Sequence, residues 1–270
     1  MAIVTKISSQ LKNEDRFNVY LDRGKGEEYA FSVDQDVLIR FGLRKGKELD
    51  ELDIAEIQYG DDVKKAFNKA IEYLGYRMRS AKEIRDYLAK KEVDESIVHE
   101  VIHRLKEYNY VNDGEFADAF VRSQWKSSGK GPEVIKQELY AKGIQQEQIL
   151  TSLEQYSMEA QIEEALKHCN KNLKADKLIS SVQQKQKLEQ MLIRKGFSYD
   201  VISICMEELE MELEKDEDLE MQALITQAEK VKHKYQSEDE YTNKMKMKQF
   251  LYRKGFPISL IDRYLDDAGE

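Results

Sequence analysis

Residues 99–103 read His99-Glu100-Val101-Ile102-His103, the HExxH string that sets two imidazoles one helical turn apart with a carboxylate beside them. In a zinc hydrolase those groups hold the metal and activate its water. Such a site needs three protein ligands, and no Glu or His follows in a clear third-ligand setting. Ile97, Val98, Val101, Ile102 and Leu105 form an apolar stripe on the same helix and leave both histidines on its outer flank. Two surface histidines are therefore expected, with no metal. Ser128-Gly129-Lys130-Gly131-Pro132 resembles a phosphate cradle but lacks the GxxxxGK[ST] spacing. Pro132 with Glu133 reads as the start of a helix. Trp125 continues the Ala117–Val121 row and is expected in the core. His168-Cys169 is an adjacent pair, and no Ser/His/Asp or Cys/His grouping stands out. Neither catalysis nor a cofactor is expected.

The residues with more to offer are cations at regular places: Lys82, Arg85, Lys90 and Lys91; Lys136 and Lys142; Lys185, Lys187, Arg194 and Lys195; Lys244, Lys246, Lys248, Arg253 and Lys254. Cations near a helix C-terminus complement its dipole, worth about 0.3–1 kcal/mol each. In register from repeat to repeat they would also form a basic edge for a phosphate backbone or an acidic protein. Both readings stay open on the residues alone.

What positions these cations is a repeat. An apolar residue, then Lys three positions on, then Gly, then an apolar residue, recurs as Leu139–Ile144, Leu192–Phe197 and Leu251–Phe256. A first copy, Leu88–Val93, carries Glu92 in place of the Gly. Four residues before each Leu stand Ile84, Ile135, Leu188 and Met247, and ten after it Val98, Ile149, Ile202 and Ile261. The spacings of 51, 53 and 59 residues imply a tandem, elongated array of one supersecondary unit, each propped by its neighbours. Each unit reads as three helices, in the second repeat Glu115–Ser127, Pro132–Lys142 and Gln146–Tyr156, with the Lys-Gly turn between the last two. A left-handed C-cap explains the Gly, so Glu92 must end its helix differently or with strain.

Three-helix units invite a helix-turn-helix reading, a DNA-binding protein without further partner. There the last helix enters the major groove and carries the reading side chains. Here residues 147–156 and 201–210 hold no Lys or Arg, which argues against base readout.

The first 33 residues differ. Ile3, Thr5 and Ile7, then Phe17, Val19 and Leu21, then Tyr29, Phe31 and Val33 each mark one face of a strand. A three-stranded antiparallel sheet is expected, covered by a helix over Asp34–Phe41 that stops at Gly42. The chain thus divides into an N-terminal β module at 1–60 and repeats at 61–112, 113–157, 158–214 and 215–270, a mainly α fold.

Composition agrees. Apolar residues make up 41 % and charged ones 35 %, with two prolines in 270 residues, as suits amphipathic helices. Cys169 and Cys205 form no CxxC, so a reduced cytoplasmic setting is expected. No secretory leader and no membrane span are apparent. The net charge of −9 is local: residues 207–220 carry nine acids and one Lys, a run read as a solvated face and linker, or as a charge mimic of DNA.

Tyr73-Leu74-Gly75-Tyr76-Arg77-Met78-Arg79-Ser80-Ala81-Lys82-Glu83-Ile84, followed by Asn112-Asp113, Phe116-Ala117, Gly131 and Glu138-Leu139…Lys142-Gly143-Ile144, resembles RecX, the bacterial regulators of the RecA recombinase. The likeness is best over residues 61–157, and the N-terminal sheet is similar to that of longer Gram-positive members. Glu92 departs from the pattern. The resemblance implies a cytoplasmic, monomeric, non-enzymatic protein of tandem three-helix units, acting in recombination, repair and SOS control. RecX-like proteins lie in the groove of the RecA–single-stranded DNA filament and mostly restrain its growth, ATP hydrolysis and strand exchange. Arg77, Arg79 and Lys82 are the first contact candidates in that reading, followed by Arg85, Lys142, Arg194, Lys195, Arg253 and Lys254.

Overall fold

The computed structural model describes residues 1–11, 13–173, 178–210, 217–233 and 239–267. It falls into two compact units, one of residues 1–116 with the turn 142–144, the other of residues 117–141 and 145–270.

In the first unit, β1 (Ala2–Gln10), β2 (Asn13–Asp22), β3 (Glu27–Asp34) and β4 (Glu48–Leu49) form an antiparallel sheet in the order β3-β2-β1-β4. The sheet has a fourth strand beyond the three expected. Its two residues are too short to show an alternation, yet Leu49 is buried opposite Ala2. The expected inner faces also shift. Register breaks between Val4 and Lys6 and between Val19 and Tyr20 turn the strands over locally. Ala2 and Val4 therefore point inward where Ile3 was expected, and Tyr29 stays outside, edge-on to Tyr20 at 6.0 Å. Val19, Leu21, Phe31 and Val33 keep their predicted inward side.

The covering helix is α1 (Gln35–Arg40), capped by Asp34, with Val37 buried and Gly42 at φ 55° behind it. It is joined by the first half of α2 (Glu51–Leu74), which opens with a capping box between Asp50 and Asp53 and buries Ile57 against the sheet. The division expected at residue 60 falls inside this helix. The second half of α2 buries Val63, Ala66 and Ala70 against α3 (Ala81–Lys90) and α4 (Glu95–Glu107). At the midpoint of α2, buried Asp61 accepts from both terminal guanidinium nitrogens of Arg16, at 3.2 and 2.8 Å, and from the Asp34 N–H at 2.8 Å. One carboxylate thus ties β2, the start of α1 and α2 together.

Three further triplets follow: α5 (Asp113–Ser128), α6 (Pro132–Ala141) and α7 (Gln146–Leu153); α8 (Met158–Leu173), α9 (Ser181–Lys195) and α10 (Tyr199–Glu208); α11 (Glu217–Lys232), α12 (Glu240–Arg253) and α13 (Ile258–Asp267). The predicted anchors carry the cores. Leu88, Leu139, Leu192 and Leu251 are all at 0 % exposure, and the residues four before and ten after each are buried as well. The fold is mainly α, with tandem three-helix units behind a small antiparallel sheet. The middle helices of the last two triplets span 15 and 14 residues, against 10 and 10 in the first two.

The turns close as the glycines imply. Gly143, Gly196 and Gly255 stand at φ 78°, 88° and 81°. The residue after the glycine bonds back five residues, Phe197 to Leu192 and Phe256 to Leu251. Glu92 does the same at φ 57°, with Val93 bonded to Leu88, so the first repeat ends its helix in the same manner. A side chain in that conformation costs about 1–2 kcal/mol.

Candidate functional site

The N-termini of the middle helices α3, α6 and α9 are where the repeats meet, and the first cations gather at α3. Ser80 caps α3 in a capping box with Glu83 and is fully buried, because its hydroxyl also donates to the Lys142 carbonyl at 2.8 Å. The next N–H, of Ala81, donates to Asp113 at the start of α5, also at 2.8 Å. In the second unit Ser180 bonds the Lys254 carbonyl in the same way, and the Ser181 N–H and hydroxyl donate to Glu220 at 3.1 and 2.8 Å. Glu220 lies in the acidic run read as a solvated face, yet it is buried. That expectation fails at this position, because an N-terminal N–H of α9 needs an acceptor. Residues 211–216 of the run lie outside the described residues.

Between these two joints, Gly131 and Glu133 donate their N–H groups to the carbonyls of Lys195 and Gly196, at 2.7 and 3.1 Å. Gly129 and Lys130 donate to Trp125 and Gln124, and the Gly129 carbonyl meets His168 Nε2 at 2.9 Å. The helix begins at Pro132 as its start signal implied, and the N–H groups of Gly129, Lys130 and Gly131 before it are spent on protein carbonyls, leaving this stretch a joint rather than a phosphate cradle. His168 is part of that joint. Burial, with Lys195 nearby, pushes its pKa below the ordinary value against the opposing pull of Gly129 and Glu164.

Around the first joint lies a cluster of cations and tyrosines. Glu83 binds Arg77 at 2.7 Å and Lys142 at 3.2 Å while accepting from the Ser80 N–H at 3.1 Å. Burial raises the Glu83 carboxyl, but Arg77, the Ser80 N–H and Lys142 outweigh it and hold it below the ordinary 4.5. Arg79 stacks its guanidinium on Tyr73 at 4.0 Å, and Tyr73 stacks on Tyr87 at 4.1 Å and 7°. Arg79 Nε is buried with no hydrogen-bond partner among the described residues, so ring stacking holds the group. Tyr76 and Met78, in the loop between α2 and α3, are exposed beside these arginines. Lys82 packs its stem on Gly143, and its residue is exposed, as is Arg85.

The structure brings Arg77, Arg79, Lys82 and Lys142 to one place. Arg194, Lys195, Arg253 and Lys254 occupy the corresponding turns of the later repeats, with both arginines exposed. Lys254 lies 5.6 Å from the Phe250 ring. Next to each pair sits an apolar residue turned to water, Ile193 and Tyr252, as Tyr140 does near Lys142. This companion row was missed on the sequence. Its signal was there, one residue after each anchoring Leu, but an exposed apolar residue and a core one look alike until burial is known.

The decoys settle into structural places. His99 and His103 are exposed on α4, with His103 beside Glu107 at 3.4 Å and Glu100 bonded to Arg104. Trp125 is half-buried, stacked on Tyr156 at 4.5 Å. Burial pushes the Cys169 thiol up to about 12 and Cys205 to about 11, so both stay protonated. Among the described residues, no helix is long and apolar enough to cross a membrane.

Comparison with known proteins follows the same division. Residues 2–50 match the N-terminal domain of the regulatory protein RecX, 66–105 the first RecX three-helix domain and 112–153 the second. The third three-helix domain matches twice, at 159–206 and 218–265, the two triplets with the longer middle helices. The regulatory protein RecX of Bacillus licheniformis is 54 % identical over 269 residues, covering 100 % of both chains. That of Bacillus subtilis is 52 % identical over 267 residues, 99 % of each. A crystal structure of regulatory protein RecX superposes with a TM-score of 0.69 at 35 % identity, covering 77 % of this chain and 100 % of that one. The structure of RecX from Lactobacillus salivarius gives 0.54 at 34 % identity, over 56 % of this chain and 99 % of the other. Whole-length identity near one half, with every repeat matched, means that this chain belongs to the RecX family of regulatory proteins.

Proposed function

We propose that this protein binds the RecA–single-stranded DNA filament and restrains its ATPase, growth and strand exchange by occupancy alone. Membership of a family of regulatory proteins supports a role without turnover. The observation that carries the reading is the recurrence of exposed cationic and aromatic side chains on the middle helices and their turns. Arg194, Arg253, Tyr252 and Tyr140 face water in the second unit, as Tyr76 and Arg77 do in the first.

Such a row suits a strand held inside a protein filament. Cations meet phosphates and recombinase carboxylates, while aromatic faces accept bases or apolar side chains without reading sequence. The third helices, by contrast, offer little: α7 and α10 carry no Lys or Arg. That weighs against major-groove readout, in which the last helix supplies the base contacts.

A titration of this protein against RecA on single-stranded DNA tests the proposal. DNA-dependent ATP hydrolysis should fall with added protein, while the protein alone hydrolyses no ATP. Unchanged hydrolysis and strand exchange at several-fold excess would refute it.

A further inference from the structure

The joint between repeats obeys one chemical rule, and the rule is broken at both ends of the series. At each internal joint a donor at the start of a middle helix, Ser80, Gly131 or Ser180, meets the carbonyl of the next turn's lysine. The helix then lies so close to the turn that a Cβ on the glycine would meet it. The distance would be 2.8 Å from Lys82 Cβ for Gly143, 2.6 Å from the Val134 nitrogen for Gly196, and 2.9 Å from Val182 Cβ for Gly255. Glycine is needed at these turns by the approach of the neighbouring repeat as well as by φ.

A second part of the rule concerns the first helical N–H. Counted four residues before a fully buried apolar residue of each first helix (Ala66, Ala117, Ala165, Leu224), the aligned positions are Asp62, Asp113, Gln161 and Glu220. Asp113 accepts the N–H of Ala81, and Glu220 that of Ser181. Gln161 stands where the partner helix begins with Pro132, which has no N–H to give, and bonds the Tyr156 carbonyl instead. Acid appears where a donor must be met, and amide where none exists.

At the upstream end no repeat precedes the first one. Asp62 stands at the aligned position on α2, exposed and bonded to Lys65 at 2.9 Å, and the turn is Lys91-Glu92-Val93. Glu92 puts a Cβ and a charged side chain where every docked turn has hydrogen. At the downstream end the fourth repeat presents the donating half. There the cap of α12 is Asp239, exposed, accepting from the Thr242 N–H at 2.9 Å. An ionised carboxylate has no proton to give a lysine carbonyl, and would face it with like partial charge.

We infer that the joint is a surface a second copy of this chain would fit, last repeat to first repeat, and that Glu92 and Asp239 keep it shut. A head-to-tail contact of this kind generates open chains of subunits unless its geometry happens to close. A chain that makes this joint three times needs such stops where its first and fourth repeats would offer it again, as repeat arrays need terminal units that differ from the interior.

The test is the full-length double variant Glu92→Gly with Asp239→Ser. Both changes suit folding, since Gly is favoured at φ 57° and Ser caps a helix as well as Asp does. By sedimentation velocity the wild type should keep one mass across a concentration series. The double variant should gain weight-average mass by about twofold or more over roughly a hundredfold rise in concentration. Adding Asp62→Lys should return it to the wild-type mass. A double variant that stays at the wild-type mass would overturn the inference. So would association that survives Asp62→Lys, or wild-type protein that associates equally.

Discussion

The Ser80 hydroxyl donates to the Lys142 carbonyl at 2.8 Å across 62 residues of sequence, while its oxygen caps the helix that it begins. One buried side chain thus ends a loop, starts a helix and meets the turn of the next repeat. Ser80→Ala leaves a buried carbonyl without its donor and the helix without its cap. The expected loss is about 1–3 kcal/mol in urea unfolding, more than a surface cap would give.

The turn glycines and Glu92 should respond in opposite senses. Gly255→Ala adds a Cβ 2.9 Å from Val182 at φ 81°, so it should destabilise by about 1–3 kcal/mol. Glu92→Gly relieves a left-handed residue whose neighbourhood is open, and should stabilise by about 1 kcal/mol. Chemical denaturation of the two variants checks both signs.

Asp61 is the most committed carboxylate of the first unit. Burial raises its pKa, but Arg16, Lys65 and the Asp34 N–H hold it below the ordinary 3.8. Asp61→Ala leaves Arg16 beside an empty place and should cost about 3–5 kcal/mol, uncoupling the sheet from α2. Hydrogen exchange of β2 and β3 amides should speed up in that variant.

Glu83 gives the cationic cluster a dependence on acid. Its folded pKa lies below the ordinary 4.5, so its contribution is complete above that value and fades as pH falls through the folded one. Stability measured from pH 6 downward should therefore decline below about pH 4.5. In Glu83→Gln that part of the decline should be smaller, from a lower starting stability.

Charge reversal at Arg194 and Arg253 separates function from fold. Both side chains are exposed, so Arg194→Glu with Arg253→Glu should change stability by about 0.5 kcal/mol or less. In the filament reading, inhibition of RecA's ATPase weakens several-fold and its salt dependence becomes shallower. Full inhibition with an unaltered salt slope would move the contact elsewhere. Arg79→Lys is the sharper probe of the stack on Tyr73, because an ammonium keeps the charge and loses the plane.

Much of the architecture was readable from residue spacing. The anchoring leucines and their partners are buried because an amphipathic repeat can satisfy its apolar face in one way only, and the period recorded that face four times. The strands were visible but their inner faces were not, since a bulge shifts the two-residue alternation without leaving a mark on composition. The short β4 was hidden for a simpler reason, as two residues cannot display a period.

The cations were also visible, but their partners were not. Lys142 reaches Glu83 from the turn of the next repeat, while Arg77 and Arg79 meet Glu83 and Tyr73 through the fold of the one loop between α2 and α3. Glu220 looked like one more acid in a charged run until the Ser181 N–H was found on it. The chain's own letters set the period, the helical class and the family, since these depend on local pattern and on residue identity. Which glycine is crowded, which acid is buried and whether Lys142 is already occupied depend on contacts across 39 to 74 residues of sequence, and only the folded chain decides those.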